Sequence, residues 1–168
     1  MWGINPSRLP EPSFSHLPTV HLVTPRRWDL AVKWRFFRHL LSNTDVDAER
    51  VYRWHIEARR SANAKVHLGM DGKSGTDQYV QDCGRLVISM GAHGFKSECA
   101  IPIDPNGELL GGAHRVACAL ALGIEAVPVS RQARVAWAPA WDEAWFIAAD
   151  TRAVDLAHIR KDWRAISG

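Results

Sequence analysis

The sequence predicts an α+β protein in which a small sheet is packed against helices, with a helical pair before it and a helical tail after it. Long segments towards both ends carry apolar residues at helical spacing, whereas the middle of the chain contains short apolar segments separated by turn residues. The chain has 168 residues and is 46% hydrophobic, which is enough to bury one sizeable core. We therefore expect one domain over residues 18–168, preceded by a proline-rich extended arm at residues 1–17.

The segment after the arm is predicted to form a strand and then two helices. Residues 19–23 alternate as a strand does, and Thr24 with Pro25 is typical of a helix start, because proline is tolerated at the first helical position. The first helix is expected to reach about Leu41, and a second helix is expected over about residues 47–59. On the first helix the spacing places Leu30, Trp34, Phe37 and Leu41 on the buried face and Lys33, Arg35 and Arg38 elsewhere.

A glycine-rich segment separates this helical pair from a third helix. Residues 61–75 include Gly69, Gly72 and Lys73, and their composition predicts a loop. A loop of this length either moves over a ligand or only connects two elements. Thr76 is expected to cap the third helix, which the glycines at residues 91–94 would end.

Residues 104–115 contain a turn, a short strand, a glycine pair and a helix start. Pro105 fixes φ and Gly107 can adopt a positive φ, so a turn is predicted between strands at residues 100–103 and 109–110. The helix that follows would present its first unpaired amides and the positive end of its macrodipole, which together favour a phosphate. A tight joint between strand and helix explains the same pattern without a ligand. The predicted phosphate-binding residues are Gly111, Gly112, Ala113, His114 and Arg115.

A second cluster with catalytic potential lies on the second predicted helix. Arg53 and Glu57 are i, i+4 neighbours, so a simple salt bridge explains them. A carboxylate near His55 on an arginine-rich helix would also suit phosphoryl transfer, which needs a base for an acceptor hydroxyl and cations for the transferred charge. We predict Glu57 as this base, with Asp104 as the next candidate. The predicted substrate-binding residues are Arg53, His55 and Lys73.

The tail at residues 131–168 is rich in tryptophan and is predicted to form two helices, near residues 142–149 and 154–166. Trp141 and Trp145 share a helical face, and we expect them to pack the tail onto the core. Stacking on a nucleic-acid base is the functional alternative. Acidic residues lie among the basic residues of the last helix, which argues against a DNA-reading helix.

Composition narrows the class of protein. The net charge is +3, and the first half of the chain has an excess of basic residues that would attract nucleotides, phosphosugars or nucleic acid, or would form a solvated face. The Cys residues are widely spaced, so neither a disulfide framework nor a zinc site is expected. No apolar run approaches the roughly 20 residues that span a bilayer, and the start lacks a signal-peptide layout. We expect a cytoplasmic protein.

These segments together resemble the ParB and sulfiredoxin superfamily over about residues 75–130. Its members share a strand with a proline, a turn that ends in glycine, a second short strand, a Gly-x-His-Arg helix start, a Leu-Gly pair and another strand with a proline. The corresponding segments here are 100–103 (AIPI), 104–107 (DPNG), 109–110 (LL), 112–115 (GAHR), 122–123 (LG) and 126–129 (AVPV).

The resemblance implies a small mixed sheet beside a helix start that binds nucleotide phosphates. The chain looks most like small single-domain members encoded among bacterial surface-polysaccharide genes. This implies a kinase that transfers a phosphoryl group from ATP or a similar nucleotide, with Mg²⁺, to a small hydroxylated acceptor such as a sugar or an amino acid. Ala113 stands where sulfiredoxins have a reactive cysteine, and Gly111 where the kinase-type members have aspartate, so a base must come from elsewhere. The alternative is a non-catalytic, nucleotide-dependent binding module of the partition-protein type, which would associate with another chain or with nucleic acid.

Overall fold

The computed structural model describes residues 14–65, 75–133 and 140–168, and this part of the chain contains helices packed around one three-stranded sheet. The predicted α+β class is therefore confirmed. The strands are β1 (Phe14–Pro18), β2 (Ile101–Ile103) and β3 (Ala126–Arg131). The helices are α1 (Asp29–Ser42), α2 (Ala48–Lys65), α3 (Thr76–His93), α4 (Ala113–Ala121), α5 (Glu143–Ala148) and α6 (Ala153–Ser167).

The sheet is mixed, with β3 in the centre. Strand β3 pairs antiparallel with β1 and parallel with β2. Its Val127 and Val129 are fully buried, as are Ile101 and Ile103 of β2. The predicted strand at residues 109–110 is reduced to a single bridge between Leu109 and Ile103. This bridge holds the residues just before the glycine pair against β2. The start of α4 therefore lies beside the sheet.

The first strand lies earlier in the chain than predicted. Residues 14–17 of the predicted arm belong to β1, and residues 1–13 lie outside the described part of the chain. The predicted strand at residues 19–23 is wrong, because Thr19–Leu22 forms a short 3₁₀ helix. The physical reason is at Thr19, whose amide donates to the carbonyl of Glu125 at 2.8 Å and whose hydroxyl donates to that of Ile124 at 2.6 Å. These bonds hold the end of β1 against the turn before β3.

Helix α1 begins at Asp29, four residues later than predicted. Thr24 does not cap it, because the Thr24 hydroxyl donates instead to Oε2 of Glu108 at 2.9 Å. The buried face also differs from the prediction. Lys33, which was expected off that face, is fully buried, whereas Leu41 is half exposed. The reason is an ion pair with Asp29 one helical turn earlier, which makes burial of the lysine tolerable.

The other predicted helices occur with small changes in their ends. Helix α2 continues to Lys65, so the first residues of the predicted 61–75 loop are helical, and residues 66–74 lie outside the described part. The N-cap residue of α3 is Gly75 and not Thr76, and no side chain caps this helix. Gly94 follows its last residue with a φ of 70°. Helix α4 is followed by Gly123 with a φ of 71°, as the sequence predicts for a C-terminal glycine.

The C-terminal helices are fixed to the core by aromatic contacts. Asp142 caps α5 through its carboxylate, which accepts from the amide of Trp145 at 3.0 Å. The rings of Trp141 and Trp145 pack edge-on against His55 of α2, with centroids 6.3 and 5.6 Å away. The tryptophan pair therefore packs the tail onto the core, as predicted. Among the described helices none is both long and apolar enough to cross a bilayer.

Candidate functional site

The start of α4 has an open, uncapped geometry. Gly112 is its N-cap residue, with a φ of 79° and no side chain to cap the helix. A Cβ at Gly112 would lie 2.9 Å from Cδ1 of Ile101, so both the backbone conformation and the space require glycine there. The first intrahelical bond runs from the amide of Val116 to the carbonyl of Gly112 at 3.1 Å. The amides of residues 113–115 therefore precede the hydrogen-bond ladder of the helix.

His114 links the start of α4 to α2 and α3. Its Nε2 lies 2.9 Å from the hydroxyl of Tyr52, and its ring centroid lies 6.0 Å from that of Tyr79. The Tyr52 hydroxyl is also 3.2 Å from Sγ of Cys83. Burial raises the pKa of Tyr52 strongly, so this hydroxyl stays protonated and can donate to Nε2. A bond donated by this hydroxyl would make Nε2 the acceptor and leave Nδ1 of His114 as the nitrogen that carries a proton.

The first turn of α3 meets this histidine from the other side. Tyr79 is the fourth residue of α3, and its hydroxyl accepts from Nη2 of Arg59 at 3.0 Å. The Arg59 guanidinium also lies 5.3 Å from the centre of the Tyr79 ring, a cation–π contact. We call this place the α3–α4 corner: the first turns of the two helices, together with Tyr52 and Arg59 of α2. The rings of Tyr79 and His114 and the guanidinium of Arg59 meet there.

A buried ion cluster lies behind the corner. Nζ of Lys33 donates to Oδ2 of Asp29 at 2.6 Å and to Nε2 of His55 at 3.3 Å. Arg27 binds the same carboxylate with two bonds, Nε to Oδ1 at 2.8 Å and Nη2 to Oδ2 at 2.9 Å. Asp29, Lys33 and His55 are at most 1% exposed. They form a continuous polar core between α1 and α2.

The pKa values in this cluster are shifted in the directions expected for burial and for neighbouring cations. Burial lowers the pKa of Lys33 to about 8 against the opposing pull of Asp29, and Arg59 and Arg27 lower it further. Burial would raise the pKa of Asp29, but Arg27 and Lys33 hold it well below its usual range. Burial and the Lys33 charge lower the pKa of His55 well below its usual value, so its ring is neutral. Arg59 lowers the pKa of both Lys33 and His55, and Asp29 opposes this effect on both groups.

Glu57 and Arg53 lie on the opposite, exposed face of α2. The carboxylate of Glu57 accepts from the hydroxyl of Thr76 at 3.3 Å, which places it beside the first residue of α3. Arg53 binds Glu49 at 2.7 Å and Asp77 at 2.6 Å, in place of the i, i+4 pair with Glu57. His55 is fully buried on the other face. The predicted cluster of Arg53, His55 and Glu57 is therefore divided between two faces of one helix.

Asp104 and Arg115 have structural contacts of their own. Oδ1 of the buried Asp104 accepts from the amides of Asn106 at 2.8 Å and of Glu108 at 2.9 Å, which organises the turn before the glycine pair. Nη1 of Arg115 donates to the carbonyl oxygens of Cys99 and Ala100. The arrangement holds the residues before β2 against the start of α4.

Of the other predicted site residues, two lie at the corner and one lies outside the described part of the chain. Gly111 and Ala113 are half-buried beside Gly112 at the start of α4, whereas Lys73 lies outside the described residues. The sequence reasoning missed Tyr52 and Tyr79, whereas it placed Arg59 among the arginines of the second predicted helix. The spacing of Tyr52, His55 and Arg59, at i, i+3 and i+7 on one helical face, was the available signal. Within the described ranges, no group of three or more His, Cys, Asp or Glu side chains is placed to hold a metal ion.

Comparison of the chain with known protein families, with curated proteins and with solved structures finds no match.

Proposed function

We propose that the protein binds a nucleotide through its phosphates at the α3–α4 corner and transfers a phosphoryl group to a small hydroxylated acceptor. The observation that carries the proposal is the uncapped start of α4, where the ring of His114 lies against Tyr79 in the first turn of α3, beside the guanidinium of Arg59. Helix starts bind phosphate because their first amides point outwards and their macrodipoles are positive there. The resemblance of residues 112–115 to a Gly-x-His-Arg nucleotide site supports the same ligand.

Glu57 is the general base of this proposal. Its carboxylate is exposed and lies next to Thr76, so an acceptor bound outside the first turn of α3 can reach it. Glu57 would take the proton of the acceptor hydroxyl while that oxygen bonds the terminal phosphorus and the bond to the nucleotide oxygen breaks. Mg²⁺ would keep several waters and would be held by one or two carboxylates and the phosphates, and Asp77 is the acidic residue in the first turn of α3.

A nucleotide-dependent binding module is the second candidate, and a specific observation favours it. Ala113 offers no reactive group at the corner, and the buried Asp104 holds a turn. In a module of this kind the nucleotide would control association with another chain or with nucleic acid. Phosphate binding is common to both candidates, and turnover separates them.

The first experiment measures nucleotide binding by calorimetry and by the shift in melting temperature. We expect ATP, ADP, CTP or GTP to bind the wild-type protein, and His114→Ala to weaken that binding about tenfold or more, since a hydrogen bond to a charged group is lost. His93→Ala is the matched control, because His93 is exposed at the other end of α3. Wild-type affinity in His114→Ala, or no binding of any of the nucleotides, would contradict the proposal.

A further inference from the structure

A cavity lies between α1 and α6, away from the α3–α4 corner. Its volume is about 250 Å³, and it shares no residue with the α3–α4 corner. We call it the α1–α6 pocket. Its walls come from the second half of α1, from the connection between α1 and α2, and from α6. The charged and ring-bearing residues of its lining include Arg35, Arg38, His39, Asp45, Lys161 and Asp162, with Trp34 beside them.

Permanent positive charges outnumber negative ones in this pocket. The cations are Arg35, Arg38 and Lys161, and the carboxylates are Asp45 and Asp162. Asp45 is already neutralised, because both of its oxygens accept from Arg35, at 2.5 and 3.1 Å. Arg38 and Lys161 are exposed at the mouth, with the Arg38 guanidinium 5.0 Å from the centre of the Trp34 ring. The mouth therefore attracts anions.

Two buried nitrogen atoms of the pocket residues have no hydrogen-bond partner within the described part of the chain. They are Nη1 of Arg35 and Nδ1 of His39. Arg35 uses Nε and Nη2 for Asp45, so its third nitrogen still has two N–H groups to donate. A buried donor without an acceptor is unfavourable, and a ligand with several acceptor oxygens would remove that cost. Residues 14–65, 75–133 and 140–168 satisfy only two of the five N–H groups of this guanidinium.

We propose that the α1–α6 pocket binds a small oxyanion, a phosphate ester or a carboxylate, with Arg35 and His39 at its base and Arg38 and Lys161 at its mouth. Nη1 of Arg35 is buried, and a small rotation of the guanidinium would bring this donor to the oxygens of such a ligand. The cavity has room for a ligand of a few non-hydrogen atoms beyond the anionic group. This site is independent of the nucleotide proposal, because the two sites lie on different sets of helices.

The test is an NMR titration of the whole chain with sodium phosphate and, separately, with sodium succinate, each at an ionic strength held constant with sodium chloride. We expect saturable changes in the indole signal of Trp34 and the ring signals of His39. Saturation by phosphate alone assigns a phosphate ester, and saturation by succinate alone assigns a carboxylate. Absence of saturable changes at these two residues with both anions would overturn the proposal, even if phosphate changes the signals of His114.

Variants at the mouth make the test specific. Arg38→Gln combined with Lys161→Gln should weaken anion binding about tenfold or more, since two charged donors are lost from an exposed position where folding is little affected. Arg164→Gln is the matched control, because Arg164 is exposed on the same helix and does not line the pocket. Equal affinity in the double variant and the wild type would overturn the assignment of these residues.

Discussion

The two faces of α2 place similar residue types in opposite environments. The inner face presents Tyr52, His55 and Arg59 to the core, where His55 contacts the buried Lys33. The outer face presents Arg53 and Glu57 to solvent, where their partners are the exposed first residues of α3. Charges on the inner face are desolvated and are strongly coupled, whereas solvent screens those on the outer face. The inner face should therefore determine stability and phosphate binding, and the outer face should determine turnover.

The largest expected effect is on turnover and comes from the outer face. Glu57→Gln should lower phosphoryl transfer by about 100-fold to 10,000-fold, the range that general base catalysis contributes, and should leave nucleotide affinity unchanged. Product formation with a panel of sugars and amino acids measures this effect. Glu49→Gln is the control, because Glu49 is on the same face and binds Arg53. If the wild-type protein binds a nucleotide but forms no product with any acceptor, the binding module replaces the kinase.

The second effect is on stability and comes from the inner face. Asp29→Asn should reduce the free energy of unfolding by about 3–5 kcal/mol, because Lys33 and Arg27 would remain buried without their counter-ion. Urea denaturation at pH 7 measures the change. The outer-face control Glu49→Gln should cost less than about 1 kcal/mol, since exposed ion pairs contribute little. Similar losses in the two variants would show that the faces do not differ as described.

The smallest effect is a pH dependence that belongs to Lys33. Burial lowers its pKa in the folded protein to about 8 from an ordinary value of 10.5. Between these values the unfolded chain binds the proton and the folded protein does not, so stability contributed by this group rises as the pH increases through that window. The slope is at most about 1.4 kcal/mol per pH unit. Urea denaturation from pH 8 to pH 10 measures it, and Lys33→Met should lack this rise; an equal rise in that variant would assign it to another group.

Local chemistry predicted much of the fold and part of the candidate site. The Asp104 turn, the glycine pair and the start of α4 depend on residues within a few positions of each other, and all were predicted from the sequence. Helix α3 and the two tail helices were also predicted from local signals, because apolar residues recur in them at helical spacing. Thr24 shows the limit of such signals, because its hydroxyl bonds Glu108 far along the chain and does not cap α1.

Distant partners explain what the sequence could not predict. Lys33 looks like a surface residue, because an isolated lysine is rarely buried. Its burial depends on Asp29 within α1 and on His55, which belongs to another helix. Tyr79 and His114 belong to separate helices, and only the packing of α3 on α4 brings their rings together. No periodicity within a single segment contains that information.

The central position of β3 has a consequence for the order in which the protein folds. Strand β3 joins β1 and β2, and the hydroxyl of Thr19 at the end of β1 bonds a carbonyl 105 residues away in the turn before β3. The antiparallel pair can therefore form only by closing the long loop that contains α1, α2, α3 and α4. Contacts this far apart along the chain slow folding, because the intervening loop must close before they form. A largely helical chain thus acquires a slow, long-range pairing of the kind that is typical of β proteins, and during synthesis β1 cannot pair with β3 until β3 has left the ribosome.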